Sequence, residues 1–351
     1  MAHPGDQAFW RIVVSGPPPS GLARRELTTA YGRRVTFRLD GTCDAQISMN
    51  GGSDEADEIL ELQTDLIWYR TTVEGVVEKL FRGRIITETD DVSASNHVCQ
   101  FSAIDYRGML GTRVVGAAGK SFVATDVGLI AWTLISDSQA LTNGNWGVTN
   151  GAGATAGVVH TISYDPGSDI SDMMTNLAHR AIGPFEWEID GNLAFNRYYP
   201  KRGTATGAIL DYGGVVASVR KTLTSNDFGN VALLTGDGST TVPVVKTSAT
   251  VATDPQGRWE RYAGFPDIKE QPTLDERASW VLGQIQAVSP TWVVTLLPGR
   301  WDKATMWLGD TVRLVARSGR LNVNALVRII EINISIDEEN VETVQMGLLV
   351  P

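Results

Sequence analysis

Residues 97–111 read HVCQFSAIDYRGMLG, and where this stretch divides decides the fold around it. Cys99, Phe101 and Ala103 alternate with Gln100 and Ser102, the period of a half-buried strand, as far as about Ile104. Tyr106, Met109 and Leu110 then fall at i, i+3 and i+4, the spacing of one helical turn. Asp105 stands at the boundary, where a carboxylate accepts amide hydrogen bonds as an N-cap. Arg107 falls on the outer side of that turn, placed to clamp a neighbouring carboxylate or carbonyl edge. Proton-transfer chemistry at an Asp/Arg pair needs a His, Lys or second carboxylate beside it, and the neighbouring sequence supplies none. Asp105-Tyr106-Arg107 therefore reads as a joint between strand and turn, without chemistry.

Upstream of the joint the chain is mainly strand. RVTFRLD (34–40) puts Val35, Phe37 and Leu39 on one face, and LIWYR (66–70) and LFRGRIITETD (80–90) continue the theme. Between them SDEADEILEL (53–62) spaces Ala56, Ile59 and Leu60 for a short helix lying on the sheet, its carboxylates forming a solvated face.

Downstream the pattern changes to α+β. TDVGLIAWTLISDS (125–138) has Thr125 as a cap and an apolar stripe of Val127, Ile130, Ala131, Leu134 and Ile135. In SDISDMMTNLAHRAIGP (168–184) the stripe is Ile170, Met173, Met174, Leu177, Ala178, Ala181 and Ile182, with Gly183-Pro184 as the stop. FEWEIDGNLAFNRYY (185–199) reads as two aromatic-rich strands joined at Asp190-Gly191. The Gly/Asn/Thr-rich run around 142–157 reads as a surface loop or irregular hairpin.

The last third returns to strands, with one helix at 272–286. Thr273 and Glu276 form a capping box there, and Leu274, Ala278, Val281, Leu282 and Ile285 the buried stripe. GDTVRLVARS (309–318) alternates Val312, Leu314 and Ala316 against polar positions. Ile330, Ile332, Ile334 and Ile336, followed by Val344, Met346 and Leu348, form a long hairpin suited to a barrel or an inter-subunit sheet.

A chain of 351 residues corresponds to two or three domains, and a formal net charge of -10 opposes phosphate-coating nucleic-acid binding. Cys43 and Cys99 match no metal-ligand spacing and are expected as two buried thiols. The amino terminus lacks a signal-peptide pattern, and no apolar run approaches the ~18 residues of a membrane span, which points to assembly in a cytoplasm.

Motifs for catalysis fail one by one. GAAGKS (116–121) resembles a phosphate loop, but the required first glycine is Val114. His3, His97, His160 and His179 stand singly, with His179 expected in solvent. Glu186 and Glu188 alternate with Phe185, Trp187 and Ile189 and so read as the exposed face of a hairpin rather than a glycosidase pair. No catalytic, cofactor or metal site is assigned.

KLFRGRI (79–85) followed by HVCQFSAIDYRGMLGTRVV (97–115) resembles the end of the first tube-like domain in central tail hub proteins of long-tailed phages, the minor tail or baseplate hub proteins of siphophages of actinobacteria. The resemblance continues through 170–203, 216–236, 273–285, 307–319 and 325–349, in family order. It implies a β-rich α+β fold of two tube-like β-barrel domains, at 1–114 and 213–351, with a peripheral α+β insertion at 115–212. It carries over Phe81, Gly83, Asp105, Tyr106, Arg107, Gly108, Gly309 and Asp310 as fold and joint positions.

The implied protein is a homotrimeric, non-enzymatic virion component at the tail tip. Its partners would be the distal tail or tail tube ring, the tape-measure protein and other tip or fibre proteins, with genomic DNA passing the lumen unbound. Because the sequence ends at Pro351 with no fibre, lysozyme-like or peptidase domain, receptor contact and wall digestion would fall to other proteins. A negative bore avoids adhesion to DNA, and ring closure satisfies strand edges that a monomer leaves open. Two other readings compete. A distal tail adaptor would assemble as six copies. A carbohydrate-binding module would be a monomer exposing its tryptophans in a groove, whereas a hub buries most of the ten.

Overall fold

Between Phe9 and Asp105 the alternating pattern becomes antiparallel strands: β1 (Phe9–Ser15), β2 (Ala23–Leu27), β3 (Tyr31–Arg38), β4 (Asp44–Asn50), β5 (Asp65–Thr71), β6 (Val77–Val92) and β7 (His97–Asp105). The computed structural model describes residues 8–19, 21–180, 182–223, 228–265, 268, 270–286 and 290–350. The inward positions are the apolar ones: Trp10, Ile12 and Val14 on β1, Val35 and Phe37 on β3, Leu66 and Trp68 on β5, Phe101 and Ala103 on β7. After β7 come a helical turn, α1 (Tyr106–Met109), and a 3-10 turn over Leu110–Thr112.

The middle segment holds β8 (Lys120–Asp126), α2 (Val127–Gln139), β9 (Thr149–Asn150), β10 (Val159–Tyr164), α3 (Ile170–Ala178), β11 (Glu186–Ile189) and β12 (Ala194–Tyr198). Its core is made by the stripes of α2 and α3, closed by Trp146, Phe185, Trp187 and Phe195, and by Tyr106 and Leu110 from the joint. Strands return with β13 (Ala205–Asp211) and β14 (Val216–Thr222).

The chain divides into two compact units, the smaller being Arg220–Trp292 with Val350. Within it β15 (Val231–Thr235) lies between antiparallel β16 (Val244–Thr247) and parallel β17 (Glu260–Gly264), and α4 (Gln271–Ile285) packs Leu274 and Ala278 on Ala232, Leu234 and Val244. The chain returns to the larger unit at Val293, within β18 (Thr291–Leu296), and continues with β19 (Thr311–Ser318), β20 (Leu321–Ile336) and β21 (Glu342–Leu349).

One sheet of 13 strands runs β14-β18-β21-β20-β3-β4-β7-β6-β5-β1-β2, with β19 on β20 and β13 on β19. It is an open, β-rich arrangement. The link between its early and late strands is β20, whose first half pairs with β19 and whose second half pairs with β3. A bulge between Ile329 and Glu331 marks the change of partner, where the Ile330 carbonyl accepts from the Leu39 amide.

That bulge corrects one expectation: Ile330 leaves the inward face, and Ile329 joins Ile332, Ile334 and Ile336 in the core opposite Val344, Met346 and Leu348. Residues 53–62 form successive turns instead of a helix. The Glu55 carboxylate there is buried and accepts from the amides and hydroxyls of Thr28 and Thr29, a tertiary anchor that overrides helical spacing. Leu60 is exposed.

Helix ends differ as well. Asp126, rather than Thr125, caps α2, because its carboxylate accepts from Gly128 and Leu129 and also from Ala156 and Gly157, which ties down the glycine-rich loop. Helix α3 stops at Ala178, leaving Ile182 exposed, and Ala181 lies outside the described residues. Helix α4 starts before the expected capping box, with Glu270 at the cap position and Pro272 in the first turn, where its missing amide costs nothing. The Asp190-Gly191 joint is a four-position loop from Asp190 to Leu193, held by Asp190 Oδ1 accepting from Asn192 and Ala194. Cys99 is buried and Cys43 half-buried, both as free thiols.

Candidate functional site

Six of the eight signature positions meet at the end of β7. Asp105 is buried and closes α1 by accepting from the Gly108 amide at 2.8 Å, while its own amide donates to the Cys43 carbonyl. Burial pushes its carboxyl up to about 6, against the pull of the Gly108 and Cys43 backbone amides on the carboxylate. Gly83 faces Asp105 across the β6–β7 ladder, and a Cβ there would come within 2.4 Å of the Ile104 carbonyl oxygen. The chain therefore needs glycine at this crossing. A Cβ on Gly108 would likewise meet Thr42 Cγ2 at 2.3 Å. Phe81 is buried with its ring 6.5 Å from that of Phe37.

Tyr106 is fully buried, its hydroxyl 2.9 Å from Asp65 Oδ2, to which it donates, and 2.9 Å from Arg84 Nη2, from which it accepts. Burial, then the Asp65 charge, raises the phenol. Asp65 itself has no exposure and also takes Arg82 at 2.9 Å and Arg84 at 2.6 Å. Two guanidinium groups and a phenol thus surround one carboxylate, the satisfied state a buried charge requires.

Arg107 is buried, which corrects its expected outward position. It donates to the Leu39 and Trp187 carbonyls and to Asp40 at 2.7 Å, with its guanidinium 4.3 Å from the Trp187 ring centroid. Asp40 also meets His179 at 3.0 Å, so His179 is paired rather than merely solvated. The His179 hydrogen bond, followed by the Arg107 charge, holds the Asp40 carboxyl down to about 2 despite partial burial.

Gly309 and Asp310 sit apart, at the entry to β19. Gly309 has φ +88° and packs directly on the Arg202 backbone, and Asp310 accepts from Thr204 and Trp307 amides. Glu186 and Glu188, expected on an exposed face, instead hold Arg328 and Arg202, and Tyr198 donates to Glu188 at 2.7 Å. Arg70 and Trp10 meet Glu342 in a buried cluster joining β5, β1 and β21.

A cavity of about 220 Å³ opens beside the joint, lined among others by Arg38, Phe81, Asp105, Arg107, Glu188 and Arg202. Of these, Asp105, Arg107, Glu188 and Arg202 are held in the contacts just described, and Arg38 is paired with Asp44 and Glu331. Trp10, Trp68, Trp146, Trp187, Trp292 and Trp301 are buried, while Trp259 and Trp280 are exposed.

His97 stands singly in sequence but not in space, and His3 lies outside the described residues. His97 and Cys99 share a face of β7, and Asp90 lies directly opposite Cys99 on β6. Asp90 Oδ1 is 2.6 Å from His97 Nε2 and 2.9 Å from Cys99 Sγ. The readable signal was the hairpin register, which pairs Val92 with His97 and so brings Asp90 to Cys99.

No protein-family model matches the chain, and neither does any curated protein. Solved structures do. A tail protein from Neisseria meningitidis MC58 superimposes with TM-score 0.67 at 11% identity, covering 97% of this chain and 96% of that one. The 43 kDa tail protein of prophage MuSo2 from Shewanella oneidensis gives TM-score 0.66 at 13% identity, covering 96% and 97%. The E. coli c3393 protein, a type VI secretion component described as structurally similar to T4 tail proteins gp27 and gp5, gives 0.52 at 9% identity, covering 92% and 73%. Among the described residues no helix is long and apolar enough to cross a membrane. Along nearly its whole length, the chain has the fold of phage tail proteins.

Proposed function

We propose that the chain is a structural virion protein of a phage tail, a hub of the long-tailed type that forms a trimeric ring at the tail tip. The observation that carries this reading is the match to tail-protein folds over 97% of the chain. The deeply buried carboxylates and guanidinium groups at the joint suit a scaffold, since they are consumed in holding strands together. The net charge of -10 suits a bore through which DNA slides without adhesion. Burial of six tryptophans favours the hub over a groove-type sugar binder.

In this reading strands from 1–114 and from 213–351 supply two tube-like barrel domains, and 115–212 the peripheral insertion. Strand β20, which changes partner from β19 to β3 at its bulge, joins the two barrels in this reading. Asp105, Tyr106, Arg107, Gly108, Phe81 and Gly83 fix where the insertion leaves the first barrel, and Gly309-Asp310 where the second resumes. The ring contacts the distal tail or tube ring, the tape-measure protein and tip proteins. Native mass spectrometry tests the stoichiometry: three copies are expected, six would indicate an adaptor ring, and a monomer at high concentration would overturn the hub.

A further inference from the structure

The outer half of the β6–β7 hairpin lies at an edge of the sheet: β7 stays paired with β4 as far as Val98, while the described β5–β6 ladder ends at Arg84. From Thr87 to Val92 the strand is exposed, and among the described residues its only ladder partner there is β7. On one face of this arm three different ligand types converge: a carboxylate from Asp90, an imidazole from His97 and a thiol from Cys99, their ligand atoms all within 4.8 Å of one another. We propose that Asp90 Oδ1, His97 Nε2 and Cys99 Sγ form a binding site for a divalent transition metal of the zinc class, a staple across the two strands of the arm.

The donor set fits that class. Nitrogen and sulfur ligands favour zinc, cobalt and copper over magnesium and calcium, and one carboxylate with one thiolate neutralises a dication. Ligand atoms around a tetrahedral ion stand about 3–4 Å apart. The Sγ–Nε2 separation is 3.9 Å, so binding requires chiefly that Asp90 withdraw from its present contacts at 2.6 and 2.9 Å. Its side chain is 54% exposed and free to do so. Cys99 is buried on the core side, the position of a fixed ligand, while His97 and Asp90 close from solvent. Gly51 stands against the imidazole, where a Cβ would come within 2.3 Å of Nε2, so the ring occupies space that a larger residue at 51 would fill.

Binding transfers the Cys99 thiol proton to bulk solvent, forms one bond each from S, N and O to the metal, and leaves the fourth tetrahedral position to water. All three ligands come from one chain, so the site is independent of the hub reading and of oligomeric state.

The test titrates the full chain with Co²⁺ under reducing conditions, reading the thiolate-to-cobalt charge-transfer band, and then displaces it with Zn²⁺. One equivalent with a thiolate band is expected. His97→Gln and Asp90→Asn, both at the exposed end of the arm, should weaken binding at least about tenfold. Cys99→Ser should abolish the band. Amide exchange over 87–99 should slow when Zn²⁺ is added. Absence of the band, or binding that His97→Gln leaves unchanged, would overturn the site. Weak binding that Mg²⁺ competes away would mean exposed acids alone and would overturn it too.

Discussion

Asp105 and Asp90 sit at opposite ends of one strand pair and have opposite chemistry. At the root, Asp105 is buried among backbone amides, and burial raises its carboxyl. At the tip, Asp90 is exposed, and the Cys99 and His97 hydrogen bonds lower its carboxyl. The root commits its polar groups to backbone and to neighbouring strands. The tip holds side-chain donors whose contacts a ligand can replace. Position along the hairpin, not residue type, determines whether a carboxylate builds the fold or remains available.

Mutations should separate the two ends by magnitude. The largest loss is expected at the root from Asp65→Ala, which leaves Arg82 and Arg84 without their buried carboxylate and should cost about 3–5 kcal/mol in urea unfolding. An effect under about 1 kcal/mol would show that solvent reaches those guanidinium groups. Gly83→Ala, which presses a Cβ onto the Ile104 carbonyl, should cost about 1–3 kcal/mol.

Asp105→Asn should act through pH. A carboxyl raised to about 6 in the fold gives stability that is complete below its unfolded value near ~3.9 and lost as pH rises through about 6. The Asn variant keeps an acceptor for the Gly108 amide and should flatten that slope, matching or exceeding the parent at neutral pH. A parent whose stability climbs over the same interval by an amount that Asn removes would reverse the assignment. Asp40 has the other sign: its contribution is present above about 4 and is lost as pH falls towards about 2. Because the pair is half exposed, His179→Gln should change acid unfolding by less than about 1 kcal/mol. Thr89→Ala on the metal-free arm, away from every clamp, should be the smallest change, near zero.

The sequence was most legible where local period and burial agree. Val35, Phe37 and Leu39, the α2 stripe, and the Val312, Leu314 and Ala316 alternation all face the core. It was least legible where a distant partner decides. Glu55 answers to Thr28 and Thr29, so the spacing of Ala56 and Ile59 says nothing of the turns they occupy. Ile330 is displaced by a change of strand partner that no local pattern records. At the joint, the turn after Asp105 can be read from Tyr106, Met109 and Leu110. The burial of Tyr106 on Asp65 and of Arg107 on Trp187 depends on strands far away in sequence. His97 and Cys99 gained a neighbour in Asp90 through register alone.

The most direct measurement is electron microscopy of the purified full chain, alone and with a distal tail ring. Threefold rings with a continuous central channel, whose lining carries more carboxylates than lysines and arginines, are the expected result. Sixfold rings, or single copies that never close at any concentration, would contradict the assignment of this chain as a tail hub.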